Sequence, residues 1–273
     1  MVPLRSFILL IAAPVCYGQI ESNSARVAVS EMRQLLARIC PGHVGDAVCT
    51  VCPDETGFSG SPETWSVETV FYGHFLSASS RDVLVNGSGC EPHAEGMSGS
   101  VVLTRQQNSW RKVRYLPGTR AEDCRQLPGF DGRDRLICAQ TDGHYGFYET
   151  TLALFDPGRD RLAANGQDLK FGSVFFSLMD NTNSGACHLV VEDGDDEGLL
   201  QSGAVDNVKF IRLRANYQVR IVVSAVEGSM KIPKNLREQI CAGQAPEPDL
   251  TPLIKPARYE FIFDGKGIEP PTR

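Results

Sequence analysis

Apolar residues along the chain follow two different periods. Ala28, Met32, Leu35, Leu36 and Ile39 recur at helical spacing, so the pattern predicts one amphipathic helix over residues 24–39, ended by Pro41-Gly42. A cysteine-bearing loop follows to about residue 61, with turn formers at Pro53-Asp54 and Gly60-Ser61-Pro62. From Trp65 onward the pattern changes to short runs rich in Val, Ile, Phe, Tyr and Thr, separated by turns. The runs at 66–76, 82–86, 100–105, 110–116, 135–140, 147–155, 173–179, 187–192, 205–214, 218–226 and 259–263 predict strands. Helical spacing returns only around 235–241. Pro246, Pro248, Pro252 and Pro256 predict an extended connection over 242–257, before a last strand that places Tyr259, Phe261 and Phe263 at every second position.

The strands repeat. Arg81-Asp82-Val83-Leu84-Val85 recurs as Arg133-Asp134-Arg135-Leu136-Ile137, and Ser100-Val101-Val102-Leu103-Thr104 has a counterpart in Thr151-Leu152-Ala153-Leu154-Phe155. A third, degraded copy is expected to begin at Cys187-His188-Leu189-Val190. A period of about 50 residues with several strands per unit is the signature of blade-type β architectures, in which each unit buries its apolar face against the next. Gly73-His74-Phe75 followed by Arg81–Val85, together with Asp131-Gly132-Arg133-Asp134-Arg135-Leu136-Ile137, resembles FG-GAP and VCBS-type repeats of secreted β-propellers. The stretch 73–156 also resembles uncharacterised secreted bacterial proteins, a group that carries no assigned activity. The repeat resemblance implies extracellular recognition, often with calcium in D-x-D-x-D-G loops. This chain departs from that pattern, because Leu76-Ser77-Ala78-Ser79-Ser80 follows Phe75 and supplies no carboxylates.

Composition adds a location. Residues 1–18 read as a secretory signal, with Arg5 before an apolar run at 7–15, and with Cys16 and Gly18 at the small-residue positions before a cleavage site. The alternative is a lipoprotein acylated at Cys16, but Val15 stands where that motif takes Gly, Ala or Ser. Nothing downstream approaches the roughly 18 consecutive apolar residues of a membrane span. Of nine cysteines, removal of the signal leaves eight: Cys40, Cys49, Cys52, Cys90, Cys124, Cys138, Cys187 and Cys241. An even set outside the cytosol predicts disulfides. Proximity favours Cys124–Cys138, then Cys187–Cys241, with the others pairing in a cluster of Cys40, Cys49, Cys52 and Cys90. Lys and Arg number 27 against 33 Asp and Glu, so the chain lacks the basic excess of a nucleic-acid binder.

Candidate chemistry is sparse, and no catalytic residue is assigned. Gly96-Met97-Ser98-Gly99-Ser100 fails the nucleophile-elbow pattern at its fifth position. Cys49-Thr50-Val51-Cys52 has the spacing of a redox dithiol, although no apolar helical face continues from Pro53-Asp54, and with Cys90 and His93 it has the ligand types of a zinc site, although oxidising surroundings oppose thiolate ligands. Asp193, Asp195 and Glu197, with Gly198, form a candidate calcium loop that lacks the closing carboxylate, because Ala204 stands at its twelfth position. His43, His74, His144 and His188 have no spacing that pairs them with a nucleophile.

These readings converge on a mainly β protein of propeller-like stacked antiparallel β-meander units, with a short N-terminal helix and disulfide support. The expected division is a signal peptide (1–18), a helix and cysteine-bearing loop (19–61), a β-repeat domain (62–264) and a tail (265–273). The expected function is secreted or periplasmic binding of a protein or polysaccharide partner, with no nucleic acid, no membrane span and no cofactor other than the candidate calcium. The alternatives are a secreted hydrolase assembled from distant residues, with Glu91, His93 and Asp134 as candidates, and a thiol oxidoreductase using Cys49 and Cys52.

Overall fold

A computed structural model of the chain describes residues 19–20, 24–42, 48–53, 64–89, 99–117, 123–144, 146–159, 173–189, 197–213 and 217–269. The expected signal, residues 1–18, lies outside them. The described chain is mainly β, in three sheets. The first contains β2 (Val48–Cys49), β3 (Trp65–Gly73), β4 (Asp82–Ser88), β5 (Gly99–Gln106) and β6 (Ser109–Pro117), in chain order. The second contains β7 (Asp123–Pro128), β8 (Asp134–His144), β9 (Phe147–Phe155) and β10 (Ser173–Asp180), also in chain order. The third contains β11 (Glu197–Arg212), β12 (Val219–Pro233), β13 (Lys255–Phe263) and β14 (Ile268–Glu269), with β1 (Gln19–Ile20) added in parallel on β11. All other pairings are antiparallel, so each sheet is a meander.

The alternation of side chains along a strand decides how the sheets stack. In the first sheet, Val83, Val85, Val101 and Leu103 face one way, against Trp65 and the Leu35, Leu36 and Ile39 stripe of α1 (Val29–Ile39). Leu84 and Val102 point the other way, with Phe71 and Phe75, into a core shared with the second sheet. That second sheet is buried on both faces. Leu136, Cys138, Ala153 and Phe155 pack toward the first sheet, whereas Ile137 and Leu152 pack toward Val208, Ile221, Val223 and Phe261 of the third. Two-sided burial is why β4, β5, β8 and β9 read as continuous apolar runs rather than as alternating ones. Each such Val, Leu or Ile contributes about 1.5–3 kcal/mol by leaving water. A smaller cluster joins Leu200, Ile232 and Ala186 to Ile240 of α2 (Lys234–Cys241).

Disulfides tie the layers locally. Cys40 at the end of α1 is bonded to Cys49 in β2, Cys124 to its cross-strand partner Cys138, and Cys187 to Cys241 in α2. Cys52 is disulfide-bonded as well.

Several expectations are corrected. The helix begins at Val29 rather than at 24, because the Ala25 N–H donates to the Val70 carbonyl at 2.7 Å and holds the preceding residues along β3. Residues 186–188 form a 3₁₀ turn instead of starting a strand, and the third sheet begins at Glu197. The strand β7 was not expected. No helix among the described residues is long and apolar enough to cross a membrane.

Candidate functional site

In-order meanders impose a direction on every strand. Strands β3, β5, β7, β9, β11 and β13 all run toward one end of the molecule, and β4, β6, β8, β10, β12 and β14 run away from it. The turns at that end are fastened to each other across the sheets. The Asp134 N–H donates to the His74 carbonyl at 3.0 Å, and the His74 N–H donates to Asp134 Oδ2 at 2.8 Å, joining the first sheet to the second. The Phe130 N–H donates to the Gly265 carbonyl at 2.8 Å, joining the second to the third. Gly265 sits at φ +90°, where a Cβ would meet Phe130 and Tyr217, so glycine permits this approach. The result is one continuous face built from the turns of three sheets.

One side of this face is a cleft of about 500 Å³ between the first turn of α1 and the ends of the first sheet's strands. Glu31 comes from α1, Tyr72 and His74 from the end of β3, and Arg81 and Asp82 from the start of β4. Arg105 ends β5 and is the cross-strand partner of Trp110 in β6. The Arg105 guanidinium lies 5.0 Å from the centre of the Trp110 ring, an attraction that holds a cation flat at the cleft wall. The rings of Tyr72 and Trp110 are 6.2 Å apart. Asp82 is 1% exposed. Its Oδ2 accepts from the Leu76 N–H at 2.7 Å and from the Ser80 hydroxyl, shaping the β3–β4 turn.

Two buried polar atoms of the cleft residues lack hydrogen-bond partners, Asp82 Oδ1 and Trp110 Nε1, and the Tyr72 hydroxyl has only the Glu31 carboxylate to turn to. Such orphans are rare inside proteins, because each costs about 1–3 kcal/mol. Burial, reinforced by the nearby Glu31 carboxylate, pushes the Tyr72 hydroxyl up to about 12, so it stays protonated and able to donate.

The equivalent turn of the second sheet is saturated instead. Arg133 donates to both oxygens of Asp156 (3.1 and 2.8 Å), to Asp131 Oδ2 at 2.9 Å and to the Phe75 carbonyl at 3.2 Å. Arg135 bonds the same two carboxylates at 3.0 Å each. Partial burial opposes ionisation of Asp131, but the hydrogen bonds from Arg135 and Arg133 outweigh it and hold the carboxyl well below the usual range. In the first sheet, Arg81 stands where Arg133 does relative to the following strand. Its neighbour across the ladder is Arg105, whose N–H donates to the Arg81 carbonyl at 2.7 Å. No carboxylate among the described residues pairs with either guanidinium of the cleft.

The far side of the face carries aromatics. Phe130 is 61% exposed and Tyr217 46% exposed; their rings meet edge-on at 6.5 Å, and Lys266 Nζ lies 4.6 Å from the Phe130 ring centre. Tyr217 holds φ +61°, a backbone state uncommon for a bulky side chain and concentrated at functional turns.

The sequence candidates fall elsewhere. Cys49 is bonded to Cys40 and Cys52 is itself in a disulfide, so neither a Cys49–Cys52 dithiol nor a thiolate zinc site exists there. Asp134 is committed to the His74 N–H. Glu91 and His93, its expected companions, lie outside the described residues, as do Cys90, Asp193 and Asp195. Glu197 starts β11 with its carboxylate 2.7 Å from Lys231 Nζ. Among the described residues no cluster of metal-ligating side chains occurs. Of the cleft and aromatic residues, Gly73, His74, Arg81 and Asp82 were singled out in the sequence, as parts of a repeat.

Comparison with known proteins finds no matching family model, curated protein or solved structure.

Proposed function

We infer that the protein is a secreted, disulfide-supported β-repeat protein whose three meanders are propeller-like units, and that it acts by binding at their common turn end. The observation that carries this reading is the pairing of unsaturated groups on that end. Exposed Phe130 and Tyr217 stand at one side, and Arg81 and Arg105, neither in an ion pair with a described residue, at the other. Turns mounted on a rigid stack of sheets are the usual place for recognition, because the scaffold fixes them while their side chains vary freely. Disulfides in all three layers support function outside the reducing cytosol. A protein or polysaccharide partner fits such a face.

The test is to immobilise the whole chain and screen polysaccharides and extracellular proteins against it. Ligands should lose at least tenfold in affinity on the Phe130→Ser/Tyr217→Ser double variant. They should be unaffected by Leu253→Ser, which removes an exposed apolar side chain at the opposite end. Equal loss from both variants, or loss from Leu253→Ser alone, would overturn the reading.

A further inference from the structure

We propose that the cleft of Glu31, Tyr72, Arg81, Asp82, Arg105 and Trp110 binds an acidic saccharide, a ring bearing a carboxylate together with several hydroxyls. The proposal rests on the binding reading above and names the ligand class.

Arg81 and Arg105 share a backbone hydrogen bond of 2.7 Å, and among the described residues neither guanidinium has an ion-pair partner. The second sheet shows the alternative open to this fold, where Arg133 and Arg135 are neutralised by Asp131 and Asp156. Glu31 and Asp82 line the same cleft, but neither is within salt-bridge distance of these guanidinia, so both arginines keep their side-chain donors for a bound carboxylate. A guanidinium presents paired donors that match a carboxylate's two oxygens. Arg105, held over Trp110, is already fixed in orientation and loses little freedom on binding.

A bare oxyanion is not the best ligand for this cleft. The accessible groups of the cleft are of both kinds: the Arg81 and Arg105 guanidinia only donate, and the Glu31 carboxylate only accepts. Glu31 would also repel a simple anion placed beside it. A sugar hydroxyl donates and accepts, so a polyhydroxylated ring satisfies this mixture, whereas sulfate satisfies the donors alone. A half-buried Tyr72 ring supplies the apolar surface against which a sugar's C–H face packs.

The experiment is calorimetric titration of the full chain with trigalacturonate, with maltotriose as a neutral ring compound of the same size, and with inorganic sulfate. Trigalacturonate is expected to bind, at least tenfold more tightly than either of the others, and to weaken as salt is raised. Arg81→Gln and Arg105→Gln should each weaken it by about tenfold, the value of one charge-assisted bond. Tyr72→Phe, which keeps the ring and its burial, should weaken it several-fold. Melting temperature checks that each variant is folded, and an unfolded glutamine variant is replaced by Arg→Lys, which keeps the charge and loses the paired geometry. Equal binding of maltotriose would overturn the acidic class while leaving a binding face in place. Equal binding of sulfate would reduce the site to an anion site and overturn the saccharide. Binding lost in Phe130→Ser/Tyr217→Ser but untouched in both arginine variants would put the saccharide elsewhere on the face. No binding of trigalacturonate also overturns the proposal, and the broader reading then stands or falls on its own screen.

Discussion

Arg133 grips both carboxylate oxygens of Asp156, with Nη1 3.1 Å from Oδ1 and Nη2 2.8 Å from Oδ2. The same guanidinium reaches the Phe75 carbonyl at 3.2 Å, so one side chain joins the end of β9, the start of β8 and the β3–β4 turn of the neighbouring sheet. Arg133 and Arg135 are both buried, and their charges are tolerable only because Asp131 and Asp156 accompany them. The pairing therefore positions the turn end more than it stabilises the chain, since a well-packed apolar replacement of the whole set would cost little.

Removing one member is another matter. Asp156→Asn keeps the shape but leaves two buried guanidinia facing Asp131 alone. The expected loss is about 3 kcal/mol, a fall in Tm of roughly 6–12 °C for a chain of this size. Thermal unfolding followed by circular dichroism reads it directly. A change within a degree or two would mean that the ion pair is solvated and does not fix the turns.

Acid should loosen the same cluster. Asp131 has its folded-state pKa depressed by the two arginines, so its contribution is full above about pH 4 and is lost as pH falls toward the folded value. The melting temperature of the wild type should therefore fall more steeply below pH 4 than that of Asp131→Asn, which starts lower and has nothing further to lose at this position. Parallel curves would show that another carboxylate controls the acid limb.

Disulfide accessibility gives a third prediction. Cys124, Cys138, Cys40 and Cys49 are buried, whereas Cys187 is half-buried and Cys241 is exposed. Under native conditions a mild reductant followed by alkylation and mass spectrometry should label Cys187 and Cys241 first. The Cys124–Cys138 pair should resist until the chain unfolds, and replacing both by serine should cost about 3 kcal/mol through the loop it closes. Early labelling at Cys124 would mean that the packing between the first two sheets opens readily.

How much of this was legible depended on whether the deciding interaction was local. The runs Val83-Leu84-Val85 and Leu152-Ala153-Leu154-Phe155 announced themselves, because a strand buried on both faces must be apolar at every position. The strand β7 did not: Asp-Cys-Arg-Gln-Leu-Pro offers only Cys124 and Leu127 to the core, and pairing with β8 makes it a strand. Local pattern also extended α1 too far upstream, where the hydrogen bond from Ala25 to Val70 overrides helical spacing. The cleft was invisible for a similar reason. Glu31, Tyr72, Arg81 and Arg105 are scattered over 75 residues and meet only because each odd-numbered strand ends where the next even-numbered one begins. The one trace in the sequence was Arg81-Asp82 as a copy of Arg133-Asp134, and that trace did not show that the second copy is neutralised and the first is not.

The protonation of Tyr72 offers the sharpest check on the cleft. Burial first and Glu31 second push its hydroxyl to about 12, and burial with the 2.6 Å hydrogen bond to Glu227 does the same for Tyr259. Both groups bind a proton more tightly in the folded chain than in the unfolded one. Their contribution to stability is therefore complete below about pH 10, and it is lost as pH rises toward 12. Titration of phenolate absorbance should show a late step near 12 that loses one tyrosine equivalent in Tyr72→Phe and one in Tyr259→Phe. Because burial is the larger cause at Tyr72, Glu31→Gln should bring its midpoint only part of the way down toward 10. A midpoint that falls the whole way would make Glu31 the controlling group. A Tyr72 hydroxyl that titrates near 10 in the wild type would mean that it is open to water and not held in a buried setting beside Glu31.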